Sequence, residues 1–412
     1  MNFKLSIKKL AVLISACILF FFLLFFIILG LVNRKPIAAF YGISQENVEN
    51  ISKVLNSTHK RRNKKSDPYN ILVLDENKSL EYALKGQKKP DLLFLYNGEN
   101  ATYATKLAAK RKTGFSKDIV SNMPSSVQAI APQTAGKITA IPLLLDNYEI
   151  AYHKEKAKSA QIKELITWQD VQTLASKTKS STMAPIIFAA GDDLELINIM
   201  GALLESVSGK KAYDSVVEKI RANIKAGKVS VQSFYNLADA LFAIDGEFYQ
   251  TAQMLNEWKT YGLLPKNFLS MSVKDVRAFI SSNDSINTIA IMSLSQHRRI
   301  ERDFIAKYKS TYIPSILNER SFTAPIIMAV PLSKNKIVKK SLKSLAKELQ
   351  GSLSNQTELA PTDKNASTPD RQADDARFFV AASNPPLAGL SQAFTTKGTR
   401  AAFAEAIRSK LR

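Results

Sequence analysis

Residues 10–32 contain no charged side chain, and this stretch restricts the chain more than any other. At about 1.5 Å per residue, a helix of that length reaches roughly 34 Å, enough to cross the hydrocarbon core of a bilayer. Its greasiest part, Phe20 to Leu29, comes late and ends at Gly30, whereas a cleaved signal has a shorter apolar region before a small-residue site. The stretch therefore reads as an uncleaved transmembrane helix, with residues 1–9 in the cytoplasm and the large domain outside it, in a periplasm or at the cell surface. Lys4, Lys8 and Lys9 precede the span and Arg34 and Lys35 follow it, so the positive-inside bias behind this orientation is small.

A second reading uses the single cysteine. Ile14-Ser15-Ala16-Cys17 resembles the lipobox of bacterial lipoproteins, which implies acylation of Cys17. Fifteen apolar or small residues follow Cys17, where a lipid-modified cysteine normally meets a polar tether. With no later cysteine, a disulfide-stapled scaffold is excluded.

The whole chain has the balance of a globular protein, 45% hydrophobic and 23% charged in 412 residues, with room for two or more cores after the apolar stretch. Its net charge of +21 is spread along the sequence and attracts anionic surfaces without naming a ligand. One basic run, His59-Lys60-Arg61-Arg62-Asn63-Lys64-Lys65, has no apolar anchor and reads as a solvated loop, with contact to anionic lipid or a cell-wall polymer as the alternative. No aromatic residue interleaves with it, so nucleic acid is not an expected partner.

Ile37 to Tyr41, Ile71 to Leu74 and Asp91 to Tyr96 read as strands separated by helices, Gln45 to Leu55 and Leu80 to Leu84, which predicts a parallel sheet with covered faces. The middle is helix-rich. Thr167-Trp168-Gln169-Asp170 and Ser272-Val273-Lys274-Asp275 are helix starts, Trp168 is expected on a buried face, and Gly209, Gly227 and Gly262 sit where helices stop. Ile286 to Leu294 and Phe322 to Val330 return to strand character, helices follow from Val338 and Thr399, and the polar residues 351–376 between these read as a long surface loop.

Gly136-Lys137-Ile138-Thr139-Ala140-Ile141-Pro142, then Tyr148 to Tyr152-His153-Lys154, then Ile166-Thr167-Trp168-Gln169-Asp170 resemble, in order and spacing, the extracellular solute-binding family of bacterial ABC sugar importers. Leu84-Lys85-Gly86-Gln87 leading to Pro90-Asp91-Leu92-Leu93, Phe279 to Met292, and Phe322 to Ser333 keep that order, so the likeness covers residues 37–412. The resemblance implies an α/β fold of two discontinuous lobes, a type 2 periplasmic-binding fold joined by hinge strands near 142–152 and 321–330. It implies a solute, a sugar above all, held in the cleft and passed to an ABC permease, without catalysis or cofactor. Where the family often places a sugar-stacking aromatic, this chain has Ser293-Leu294-Ser295-Gln296, so maltose specificity does not carry over.

Ligands of open α/β lobes sit beyond the carboxyl ends of strands, which nominates Tyr41, Gly42, Tyr96, Asn97, Asp146, Asn147, Ser295 and Gln296. Asp146 stands where the family often has a carboxylate that accepts sugar hydroxyls, with a hinge residue as the alternative. Asp192 and Asp193 are either further contacts or helix caps. His59, His153 and His297 are far apart in sequence and lack metal-site spacing, and no nucleophile elbow or phosphate-binding loop is present. Asp239, Asp245 and Glu247 read as a solvated face. A membrane-anchored interaction protein with a degenerate pocket is the alternative to solute capture.

Overall fold

The structure is a computed structural model that describes residues 15, 18–21, 35–58, 68–85, 89–180, 184–282, 288–317 and 320–412. The expected span at 10–32 lies outside these residues except for Ser15 and Ile18 to Phe21, which are helical and exposed; Cys17 and the basic run from His59 also lie outside. Among the described residues, no helix is long and apolar enough to cross a membrane.

Two sheets form two lobes. In lobe 1, β1 (Ile37–Tyr41) lies between β2 (Asn70–Leu74) and β3 (Leu92–Tyr96), all parallel. Every residue of β1 is buried, which is why that strand reads as an unbroken apolar run with no alternation. The small hairpin of β4 (Gln133–Thr134) and β5 (Lys137–Ile138) precedes β6 (Ile141–Leu145).

The chain then passes to lobe 2, where β7 (Tyr148–His153), β8 (Ile186–Ile187), β9 (Ile289–Ser293) and β10 (Tyr308–Tyr312) make a sheet in the order β10-β7-β9-β8. It returns for β11 (Ile326–Pro331) and β12 (Ala360–Pro361), completing the lobe 1 order β12-β6-β11-β3-β1-β2.

The parallel pairing expected of the first three strands holds for β1, β2 and β3, while both complete sheets are mixed. β11 runs antiparallel to both β3 and β6, and β7 antiparallel to both β9 and β10. Strands that enter a sheet from the other lobe arrive without a crossover helix, so nothing obliges them to run parallel. Pro142 in β6 has no N–H to give the ladder, and the β6–β11 register shifts there, between Ile327 and Met328.

Residues 351–376 are also not a loop. They contribute most of helix Gln350–Thr357, then β12, then the start of helix Arg371–Ala381. The segment looks solvated because its apolar residues are few and spaced: Leu353, Leu359, Ala360, Ala373 and Ala376 are buried. Gln350 Oε1 meanwhile accepts from the Asp363 backbone N–H and the Thr362 hydroxyl inside the lobe.

Local helix signals match the structure closely. Thr167 and Ser272 each form a full capping box with an aspartate three residues on, which satisfies amide hydrogens that a helix start leaves free. The long helix Asp193–Lys225 breaks at Gly209, whose φ of 81° a residue with a Cβ rarely adopts. Helices Asp193–Lys225, Val231–Phe242, Tyr249–Thr260 and Lys397–Leu411 cover one face of the lobe 2 sheet, and Met271, Val276, Ile280 and Ile300 cover the other. Trp168 is half-buried beside Trp258.

Candidate functional site

Among the described residues the chain passes between the lobes three times, at Asp146–Asn147, at Thr323–Pro325 and at Asn384–Pro386. These crossings bond to one another: Asp146 N–H donates to Pro325 O, Tyr148 N–H to Thr323 O, and Ala324 N–H to Leu387 O. A hinge built this way holds the lobes in contact while few dihedrals separate them.

Asp146 is half-buried at this hinge, and its carboxylate accepts from the Ser295 backbone N–H at 2.9 Å and the Ser295 hydroxyl at 2.7 Å. Burial raises its pKa, while the bonds from Ser295 and the charge of Arg299 act against that rise. The Ser293 hydroxyl also acts on this carboxylate, and a carboxylate offers about four acceptor positions, so some acceptor capacity stays open. Asp146 is thus a hinge residue that keeps some acceptor capacity.

Across the first crossing, the Tyr148 hydroxyl donates to Glu195 Oε2 at 2.9 Å and accepts from Asn198 Nδ2 at 3.0 Å. Asn198 Oδ1 in turn accepts from the Ser391 N–H. Burial pushes Glu195 up to about 7, helped by the negative charge of Asp146, while Tyr148 and, at longer reach, Gln296 oppose it. Burial also raises the Tyr96 hydroxyl, with Asp146 and Glu195 raising it further and Arg299 lowering it. Tyr96 from lobe 1, Asp146 from the hinge, and Tyr148, Glu195 and Arg299 from lobe 2 therefore gather at one place.

The other candidates are distributed around it. Asn97 is buried and tied to Ile326 through its backbone N–H and its side-chain oxygen. Asn147 is wholly buried in the hinge, and its side-chain atoms have no hydrogen-bond partner. Ser295 is committed to Asp146; Gln296 Nε2 is buried without a partner within hydrogen-bond distance. Asp192 occupies the N-cap position of its helix but makes no cap bond, and instead accepts from the Val273 N–H at 2.7 Å. Asp193 pairs with Arg408.

Tyr41 and Gly42 line a small enclosed space with Glu76, Tyr96 and Phe394. The Tyr41 hydroxyl lies within hydrogen-bond distance of two carbonyls, Lys78 O and Thr395 O, so this ring is held in place. The space, about 20 Å³, holds a water and not a sugar ring. Its outer wall is a lobe 2 segment that meets the strand ends of lobe 1. Lys397 N–H donates to Glu76 O, Arg400 pairs with Glu76, and Gln392 packs so tightly on Gly98 that a Cβ there would lie 2.6 Å from the Gln392 Cβ. On the other side of Gln392, a cavity of about 520 Å³ is lined by Asn97, Gly98, Tyr213, Arg221 and Pro386, a volume in the range of small-ligand sites.

Glu195, Tyr148, Arg299 and Gln392 were not singled out from the sequence. Period-two alternation along β7 was the available signal for Tyr148, because it separates the face of Tyr148 from that of Glu149. Glu195 stands on the first turn of a helix whose start was recognised, but nothing local distinguishes it from Asp192 and Asp193. Asp239 pairs with Lys410, and Glu247 with Ser215 and Lys219, so these acids do not form a catalytic pair.

Among solved structures, the bacterial solute receptor AcbH, with its preference for β-D-galactopyranose, aligns over 92% of this chain and 100% of its own at a TM-score of 0.64 and 12% identity. The chain shares its fold. Maltose-bound MalE3 of T. maritima aligns over 91% and 99% at 0.57 and 12%, and a Bacillus licheniformis sugar transporter in complex with stachyose over 91% and 96% at 0.60 and 11%. No protein-family model and no curated protein sequence matches this chain. The two-lobed α/β architecture is thereby established from lobe to lobe.

Proposed function

We propose that this chain captures a carbohydrate between its lobes and presents it to an ABC-type permease, acting as a receptor without turnover. The observation that carries this reading is the convergence of Tyr96, Asp146, Tyr148, Glu195 and Arg299 on the hinge. Carboxylates accept hydroxyl hydrogens in strong, charge-assisted bonds, and tyrosines offer a ring face beside a polar tip, which is the chemistry a polyhydroxylated solute needs. The shared architecture with receptors for galactopyranose, maltose and stachyose supports the same class of ligand.

In this reading residues 10–32 tether the receptor to the cytoplasmic membrane, either as a span or through a lipid on Cys17, with the lobes outside the cytoplasm. Tethering raises the receptor's concentration at its permease without any gain in solute affinity. Asn97 and Gln296 are the further polar contacts, while Tyr41, Gly42, Asn147, Asp192, Asp193 and Ser295 shape or brace the cleft.

A second reading, a membrane-held interaction protein with a closed pocket, draws on one observation: the segment around Gln392 to Arg400 already occupies the strand ends of lobe 1. Thermal unfolding of the full chain against mono- and oligosaccharides, amino acids and phosphorylated metabolites separates the two. A solute at 100 times its dissociation constant stabilises the fold by about 2.7 kcal/mol. A saturable rise with one sugar class, markedly reduced by Asp146→Asn, supports capture. A flat response across the panel supports the interaction protein.

A further inference from the structure

One helix of lobe 1 carries an unusual concentration of exposed lysines. Helix Lys336–Lys347 packs Val338, Leu342, Leu345 and Ala346 inward and exposes Lys336, Lys339, Lys340 and Lys343 along one side, with Lys334 just before it. The spacing of three, one and three residues keeps these four ammonium groups on one helical face. Among the described residues none of the five carries an ion pair, and the helix holds no acidic residue; Lys347, at its end, pairs with Asp118. Ile337 is exposed on the same helix.

The helix that carries this basic face packs, by its opposite side, against the point where the N-terminal segment joins the domain. β1 begins at Ile37, and Pro36 O accepts from the Asn70 N–H at the start of β2. One residue earlier, the Tyr69 hydroxyl donates to Ser341 Oγ in the middle of the lysine helix, and Thr58 Oγ1 lies 3.2 Å from the same Ser341 oxygen. Leu332 N–H donates to Asp91 O, which brings the lead into the helix to the same end of the sheet. The charge-free stretch of residues 10–32 thus ends only a few residues from a strand start that is wired to this helix.

We propose that this face of lobe 1 rests on anionic phospholipid headgroups and so orients the cleft, at the opposite ends of the strands, away from the membrane. The occupant is a lipid surface because an apolar segment long enough to enter a bilayer leaves from the same edge, and because a row of unpaired lysines complements a surface of negative headgroups. The proposal rests on the membrane tether described above, while solute capture is independent of it.

The test uses the full chain in vesicles of phosphatidylcholine alone or with phosphatidylglycerol, reading lysine acetylation by mass spectrometry. Lys336, Lys339, Lys340 and Lys343 are expected to become about fivefold or more less reactive on the anionic vesicles, relative to the exposed lobe 2 lysines Lys228 and Lys266. Raising salt from about 0.1 M to about 0.5 M should remove that protection, because screening shortens the reach of the headgroup charge. Substituting all four by glutamine should abolish the protection of Lys334 while leaving the thermal midpoint and any sugar-induced shift in place.

Equal reactivity on both vesicles overturns the proposal. So does protection by a soluble polyanionic polymer with none on anionic lipid, which assigns the face to a cell-wall partner. If the chain fails to float with neutral vesicles but is recruited and protected by anionic ones, the tether is wrong and the basic face stands. A sugar panel that shifts nothing removes solute capture without touching either result.

Discussion

Tyr148 and Glu149 are neighbours on β7, yet they enter two polar clusters of opposite character. Tyr148 faces the hinge with Asp146, Glu195 and Asn198, where the carboxylates are half-buried and keep acceptor capacity. Glu149 faces away, and its Oε1 is bound by His297 Nδ1 at 2.6 Å and the Ser310 hydroxyl at 2.9 Å with both acid and imidazole wholly buried. A strand's side chains alternate between faces, so one residue step divides a site from a brace. Serine, histidine and glutamate together invite a catalytic reading, but a cluster closed to solvent admits no substrate, and Ser310 and Glu149 share the same ring nitrogen. Residue types alone do not distinguish the two clusters. Exposure does.

The largest effect expected from breaking this comparison comes from the buried side. His297→Ala leaves Glu149 short of its imidazole partner in a site closed to solvent; an unsatisfied buried polar group costs about 1–3 kcal/mol, and the cavity left by the ring adds to that. Denaturant unfolding should show that loss while any sugar affinity of the surviving folded fraction is retained. A variant that keeps full stability but loses ligand would exchange the roles of the two clusters.

On the hinge side, Asp146→Asn preserves an acceptor for the Ser295 N–H and removes the charge. Hydrogen bonds to a charged group contribute about 1.5–3 kcal/mol, so under the proposed capture sugar affinity should fall by roughly 10- to 100-fold with little change in the unliganded midpoint. Titration calorimetry beside thermal unfolding reads both quantities. A drop in stability as large as that of His297→Ala would make Asp146 a second brace and leave the cleft without its central acceptor.

How far the sequence discloses this arrangement follows from the range of the interactions involved. The strands at Ile37–Tyr41 and Leu92–Tyr96, the caps at Thr167 and Ser272 and the glycine stops depend on residues within one or two turns, and they were legible. Asp146 and Tyr96 were legible as candidates because they follow strands. Glu195 was not, because its significance comes from Tyr148 and Asp146, nearly fifty residues away, through a crossing that no local pattern marks. Helix Gln350–Thr357 was missed for the same reason: its polar Gln350 is bonded to Thr362 and Asp363 inside the lobe, and a buried polar residue reads as a loop residue until its partners are known.

Glu195 sharpens the comparison through pH. Its folded pKa of about 7 lies above its ordinary value of 4.5, so between those values the folded chain holds a proton that the unfolded chain has released. The stability this contributes is complete below about 4.5 and is lost as pH rises through about 7. Glu195→Gln should flatten the fall in stability across that window, measured as the thermal midpoint from acid to neutral pH. A slope that persists in the variant places the titration in another group.

The smallest effect is expected at the cleft mouth, where Arg299 of lobe 2 pairs with Glu46 of lobe 1 at 2.9 Å. Glu46 is more than half exposed, and a pair open to solvent on one side contributes only about 0–1 kcal/mol. Glu46→Gln should leave global unfolding almost unchanged. Even so, the pair spans the lobes and the hinge does not depend on it, so its free energy is spent on closure and not on folding. A loss of about 0.5 kcal/mol from the closed arrangement alters the closed-to-open ratio a little over twofold, which small-angle scattering of the unliganded chain can detect while a melting curve cannot. A melting point that falls by many degrees would instead show that the two lobes unfold as one unit held at this mouth, and the distinction between a rigid brace and an adaptable site would have to be redrawn around Arg299.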